Sequence, residues 1–327
     1  MTMYRWLLAV SAVLLGAGVM LGSGAESAAL QREMETHTRN DVPSVVRAAV
    51  VAPDGSEASG TFEAEVDSWI KTLSAQDEFK EWEGARWTRH PLGPGMHGWL
   101  VLVHKNGKEI GYLVVGATED GKLRLTEYGA GDRPLFGMQT LYRSLIQLGL
   151  IDAHSDLMSF WQASPLPPER VYYSPLHAVW KLAHGNEWLY IDAKTGERLP
   201  LGEQSFEPLV RYESPNAIPE PSARTARSLT LPEFDPFDNT SWITGPPAPF
   251  AAADELFAAL TPGNAPVTYK ANLYGKTVLA PYAVTGYQDW GLGVPYVRLE
   301  QEGARYVPYD VLKEYGGFHQ TGNASSS

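Results

Sequence analysis

Cysteine is absent from the 327 residues. That excludes disulfides, thiolate zinc and iron–sulfur sites, thiol nucleophiles and the acylated cysteine of a lipoprotein. Basic charge is scarce: 26 Lys and Arg against 38 Asp and Glu leave a formal net charge of −12, with no Lys/Arg-rich run. Phosphate neutralisation is the sequence-independent part of nucleic-acid affinity, so no nucleic acid is expected as a partner, and a polybasic membrane patch is equally unexpected. Also missing are a Gly-x-Ser-x-Gly elbow, a His-Glu-x-x-His helix, a P-loop and a Gly-x-Gly-x-x-Gly after a strand, the marks of the common hydrolases, zincins and nucleotide binders. No catalytic residue and no cofactor is assigned.

Metal ligands are sparse in the same way. The eight His are scattered, and the best candidate is Asp152-Ala-His154-Ser-Asp156, where three ligand-capable side chains alternate as an extended segment presents them to one face. It reads as a solvated loop whose Asp and Ser residues cap a turn. Asp235, Asp238 and Asn239 offer oxygens, but no 12-residue calcium loop surrounds them, so they read as turn formers. No metal site is assigned.

What is present begins with an export signal. Arg5 precedes an uncharged stretch of 20 residues, Trp6 to Ala25. Ser23 and Ala25 are small residues suited to cleavage before Glu26, which gives a secreted product. The same length spans a bilayer core, which gives a single-span anchor with Arg5 inside. Either fate places the remainder outside the cytoplasmic membrane, with any membrane contact made by residues 6–25. Hydrophobic residues at 44% and charged residues at 20% match a soluble globular body.

Residues 26–60 read as a polar spacer. In 61–200 a helix is expected from the spacing of Phe62, Val66, Trp69, Ile70 and Leu73, and Ser74 to Asp77 matches a capping box that restarts or kinks it before Trp82. Three strands follow, Trp99–Val103, Ile110–Val115 and Lys122–Tyr128, joined at Asn106-Gly107 and Glu119-Asp-Gly121, dipeptides that accept the positive φ of hairpin turns. A second helix carries Phe136, Leu141, Leu145 and Leu148 and ends at Gly149. A second meander then runs Val171–Tyr173, His177–His184, Trp188–Asp192 and Arg198-Leu199. Residues 201–250 are Pro-rich yet contain Phe234, Phe237, Trp242 and Phe250, which favours an arm packed on a domain over a free linker. Residues 251–319 read as a short helix followed by a small, mostly β module with a closing helix near Asp310–Tyr315. Residues 320–327 form a polar tail. The expected class is α+β: two helix-plus-antiparallel-meander units followed by a small mostly-β C-terminal module.

The stretch Pro175-Leu-His-Ala-Val-Trp-Lys-Leu-Ala-His184 followed by Glu187-Trp-Leu-Tyr-Ile-Asp-Ala-Lys-Thr-Gly-Glu197 resembles the PepSY-type domain, in which a hairpin carries a Tyr-x-Asp-Ala-x-Thr-Gly-Glu ending. The resemblance covers residues 171–199, about 30 of 327. Such domains occur in peptidase propeptides and envelope proteins, where they bind or restrain a peptidase, so the resemblance implies binding of a protein or peptide partner at the cell surface. Tyr190 and Asp192 are the candidate contact residues there. Trp290, between Gly286 and Gly291-Leu-Gly293, is expected to be an exposed contact in a flexible loop. The rival expectation is an envelope hydrolase whose groups are gathered from distant positions. The two readings differ in whether a deep pocket gathers Asp, Glu or His near His154 or His177.

Overall fold

The computed structural model describes residues 56–320 except 94–96, 119–120, 155, 157–158, 160–166, 208, 210, 215–226, 239 and 292. The stretch read as an export signal at 1–25, the expected spacer as far as Gly55, the tail from Thr321 and Asn239 lie outside the described residues, and residues 56–60, also read as spacer, instead begin a helix. No helix among the described residues is long and apolar enough to cross a membrane.

Helix α1 (Ser56–Ser74) buries Phe62, Val66, Trp69, Ile70 and Leu73 on one stripe, as their 3.6-residue period requires. The capping box does not form. Ser74 is still in the last turn of α1, and its hydroxyl turns back to donate to Lys71 O at 2.9 Å, a local bond that Ser makes readily. The following 3-10 segment, Asp77–Trp82, opens at Gln76 without a side-chain cap and buries Phe79 and Trp82.

Strands β1 (Arg86–Pro91), β2 (Gly98–Lys105), β3 (Lys108–Ala117) and β4 (Leu123–Ala130) form an antiparallel meander. Asn106 and Gly107 both have positive φ, 53° and 77°, the geometry whose twist matches paired strands. One sheet face, with Val101, Val103, Leu113 and Val115, packs under α1. The other, with Leu100, Leu102, Tyr112 and Val114, packs against Trp180, Leu182 and Ile191 of a second sheet and against Leu141 and Leu145 of helix α2 (Met138–Gln147). That second sheet is β5 (Glu169–Ser174), β6 (His177–His184), β7 (Glu187–Asp192) and β8 (Arg198–Leu199), in sequence order and antiparallel.

The C-terminal half continues the first sheet. Its strands are β9 (Arg227–Thr230), β10 (Val267–Leu273), β11 (Val278–Asp289), β12 (Tyr296–Glu300), β13 (Ala304–Pro308) and β14 (Gly316–Gln320). The order across the sheet is β1-β2-β3-β4-β13-β12-β11-β10-β14, with β9 on the far half of β11. The join is short: Arg305 pairs with Gly129 and Tyr306 with Tyr128. Helices α3 (Ser241–Thr244), α4 (Ala253–Ala259) and α5 (Tyr309–Tyr315) complete the chain. The α+β class with a β-rich C-terminal region is the observed one.

The Pro-rich segment packs, where it is described. Tyr212 N donates to Tyr173 O at 2.9 Å, Ser214 Oγ to Leu125 O at 3.0 Å, and Ala248 N to Phe318 O at 2.7 Å. Gln320, assigned to the tail, instead ends β14 and donates to Ala265 O. Strands β1, β9 and β14 were not foreseen. Arg-Trp-Thr-Arg-His-Pro is polar on both faces, Arg-Ser-Leu-Thr sits among prolines, and Gly-Gly-Phe-His-Gln opens with two glycines, so none carries the apolar alternation of a strand.

Candidate functional site

A strand at a sheet edge presents unpaired N–H and C=O groups, and folded proteins usually cover or shorten such edges. Among the described residues five strands have an unpaired side, β1, β5, β8, β9 and β14, and four of them are reached by the arm or kept short. The arm places one backbone hydrogen bond on β14 from Ala248 and one on β5 from Tyr212, while β8 is two residues long and β9 four. Strand β1 is the exception. It pairs with β2 over all six residues, and among the described residues nothing hydrogen-bonds its outer edge. Arg86, Thr88 and Arg89 on it are exposed.

The two faces of β1 differ. Trp87 and Arg89 turn toward α1: Trp87 Nε1 donates to Asp67 Oδ1 at 2.8 Å, and the Arg89 guanidinium lies 4.7 Å from the Phe62 ring centroid. Arg86, Thr88 and His90 share the face that looks toward the second sheet, because side chains two apart on a strand point the same way. There Thr88 Oγ1 lies 3.0 Å from His90 Nε2 and 2.9 Å from His104 Nε2. A hydroxyl donates once, so at most one imidazole accepts from Thr88 and at least one donates to it. Glu109 stands opposite His104 across β2 and β3.

Arg170, from β5, completes this cluster. Its guanidinium stacks 4.9 Å from the Trp180 ring centroid, and its Nε is buried without a hydrogen-bond partner. Among the described residues no ion pair includes it. Burial lowers the Arg170 pKa to about 10, with the Glu109 charge opposing. Burial first, then the positive charge of Arg170, then His104, hold His90 down at about 4. Burial also lowers His104 and raises Glu109 to about 7 against the pull of Arg170. The cluster therefore holds neutral imidazoles beside a recessed cation whose only acidic neighbour in this group is Glu109, which forms no ion pair with it.

The residues singled out on the sequence lie elsewhere. Tyr190 is buried, its ring 5.0 Å from that of Phe206. Asp192 caps its own turn, its Oδ1 accepting from Lys194 N, Thr195 N and Thr195 Oγ1. Trp290 is not exposed: it is 8% accessible and donates from Nε1 to Tyr128 OH at 3.3 Å. The flanking glycines suggested a loose loop, but β11 runs on to Asp289 and turns the indole inward. Tyr190 and Trp290 belong to different core clusters.

In the turn of the PepSY-like stretch, Lys194 is buried and donates to Arg133 O and to Glu302 O. Gly196 has φ +77°, and a β-carbon there would lie 2.2 Å from Ser144 Oγ. Ser144 Oγ bonds Gly196 O at 2.7 Å. The turn thus pins the second sheet to α2 and to the β12–β13 hairpin. Nearby, Arg305 and Glu127 form a buried ion pair at 3.2 Å. A bulge between Val114 and Val115 sets Glu127 opposite Val114, on the face toward the second sheet.

Two arrangements bear on hydrolysis. Ser174 Oγ lies 2.9 Å from His177 Nδ1, and Tyr274 N donates to His177 Nε2 at 3.4 Å. Nε2 is therefore the acceptor, the proton sits on Nδ1, and the ring donates to Ser174, the reverse of a base activating a nucleophile. Both residues are fully buried. Asp152 Oδ1 accepts from His154 N and contacts His154 Nδ1 at 3.1 Å in solvent, and Asp156 Oδ2 accepts from Ser159. Each aspartate thus serves its own turn. Among the described residues no group of three His, Asp or Glu is placed to hold a metal. A cleft of about 600 Å³ opens between β3, β4 and β5, lined by Arg124, Tyr172, Arg211, Tyr212 and Glu213 among others; among the described residues Glu213 is its one carboxylate.

No protein-family model, no curated protein and no solved structure matches this chain.

Proposed function

We propose that this chain is a non-enzymatic extracytoplasmic protein that binds an extended segment of a protein or peptide partner by taking it up as an additional strand beside β1. The observation that carries the reading is the bare β1 edge in a fold whose other described sheet edges are reached by the arm or kept short. Strand addition draws affinity from main-chain hydrogen bonds and selectivity from alternate side chains. The export signal at residues 6–25 gives the location, and the PepSY-type resemblance of 171–199 points to a secreted peptidase as partner class. The inward-donating Ser174–His177 pair weighs against the hydrolase alternative.

A photo-crosslinking residue placed at Thr88 in the producing cells tests it, with Leu279, 55% accessible, as the control position. The reading expects a discrete adduct from position 88, recovered from medium or membrane and mapped to one extended stretch of the partner. Adducts of equal yield from both positions, or none from position 88, contradict it, as does an adduct found in the cytosol.

A further inference from the structure

The side chains around the bare edge indicate what kind of segment it takes. In a chain with net charge −12, β1 carries Arg86, Arg89 and His90 and no acid, and Lys105 lies on the strand beside it. Asp67 is engaged by Trp87 Nε1, and burial raises Glu109 to about 7 against the pull of Arg170. Arg170 is the informative member. A guanidinium offers five donors in a planar fork matched to a carboxylate. Here the guanidinium stacks on Trp180, its Nε is buried without a hydrogen-bond partner, and among the described residues no ion pair includes it. A recessed cation left unpaired is costly to a fold, and a carboxylate arriving from outside relieves that cost.

Its position matters as much as its charge. Arg170 stacks on Trp180, which packs in one core cluster with Leu100 and Leu102, the β2 partners of His90 and Thr88, and His90 and Thr88 share the face of β1 toward the second sheet. A strand laid against β1 sends every second side chain to that face. We infer that the segment taken up by β1 is acidic, and that one of its carboxylates sits on the guanidinium of Arg170, beside His90 and His104. This rests on the strand-addition reading and specifies the partner's chemistry. A second copy of this chain is a poor occupant, because pairing β1 with β1 brings the Arg86 and Arg89 of both chains onto one seam, like charge against like.

Three eight-residue peptides, alternating valine with glutamate, glutamine or lysine, are titrated into the full chain by fluorescence anisotropy at low and at 0.5 M salt. The glutamate peptide is expected to bind at least tenfold more tightly than the glutamine peptide, and the lysine peptide not measurably. High salt should shrink that tenfold margin. Arg170→Gln should abolish the margin while leaving the glutamine peptide's affinity unchanged, and Arg170→Lys, which keeps the charge without the fork, should leave part of it. Equal affinity for the glutamate and glutamine peptides in the wild-type chain overturns the acidic assignment and leaves strand addition standing. Failure of all three peptides to bind overturns the strand reading itself. Concentration-dependent dimers that exclude the glutamate peptide assign the edge to a second copy and also overturn the inference.

Discussion

His177 separates a structural pair from a catalytic one through the pH dependence of folding. The ring is 1% accessible, wedged between Tyr274 and Tyr315 with centroid distances of 4.9 and 4.4 Å. Burial, and then the charge of Arg305, lower its pKa from 6.5 to about 4. Protonation would set an Nε2–H against the Tyr274 N–H that now donates to it. Because the folded pKa lies below the unfolded one, the unfolded chain binds one more proton between about pH 4 and pH 6.5. The contribution of His177 is therefore complete above pH 6.5 and is lost as pH falls toward 4. At about 1.4 kcal/mol per pH unit over that window, the loss is on the order of 3 kcal/mol. His177→Asn keeps a polar group facing Ser174, removes the titration and orphans Tyr274 N–H, which costs about 1–3 kcal/mol at pH 7. Urea unfolding at pH 7.0, 6.0, 5.0 and 4.5 should show the stability gap between wild type and variant closing by about 1.4 kcal/mol per pH unit below 6.5. Parallel pH curves for the two proteins would refute the tautomer and the buried neutral ring on which the structural reading of Ser174–His177 depends.

Other consequences are as direct. Arg305→Met should cost about 3–5 kcal/mol in chemical denaturation by leaving Glu127 buried without its ion-pair partner, and adding Glu127→Gln should recover part of it; equal losses in single and double variants would contradict the pairing. Gly111→Ala should cost about 1–3 kcal/mol, since its β-carbon would lie 2.4 Å from the Trp82 ring and 2.6 Å from Gly129 O. Gly84→Ala, with open space but φ +69°, should lower the melting temperature less. In Arg170→Gln the His90 pKa should rise, because a cation that disfavours the imidazolium is gone. Arg170 is the second of three causes of the fall from 6.5 to about 4, so the rise is at most half of it, about 1, read by NMR titration. An unchanged His90 would remove Arg170 from the cluster.

Much of the fold is local in origin and was readable for that reason. The β2–β3 hairpin follows from Asn106-Gly107 between β-branched runs, and the α1 stripe from the spacing of Phe62 to Leu73. The site was not readable. Strand β1 lacks an apolar face, since Thr88 and His90 look onto Arg170 and Trp87 is tied to Asp67. Arg170 reaches His90 from a different sheet, a relation no spacing encodes. The same holds for the join of β4 to β13, carried by two residue pairs, and for Trp290, which turns inward because Tyr128, 162 residues away, offers its hydroxyl. The stretch read as an export signal, residues 6–25, lies outside the described residues.

The most direct test of the account is hydrogen–deuterium exchange over Arg86–Pro91, read by mass spectrometry in the free chain and with the glutamate–valine peptide bound. The account predicts that in the free chain the β1 amides pointing away from β2 exchange rapidly while β2 and β3 stay protected, and that the peptide slows those amides alone. Protection of every β1 amide in the free chain would show the edge already covered. Unchanged exchange on saturation with the peptide would place binding elsewhere. Either result contradicts β1 as the docking strand.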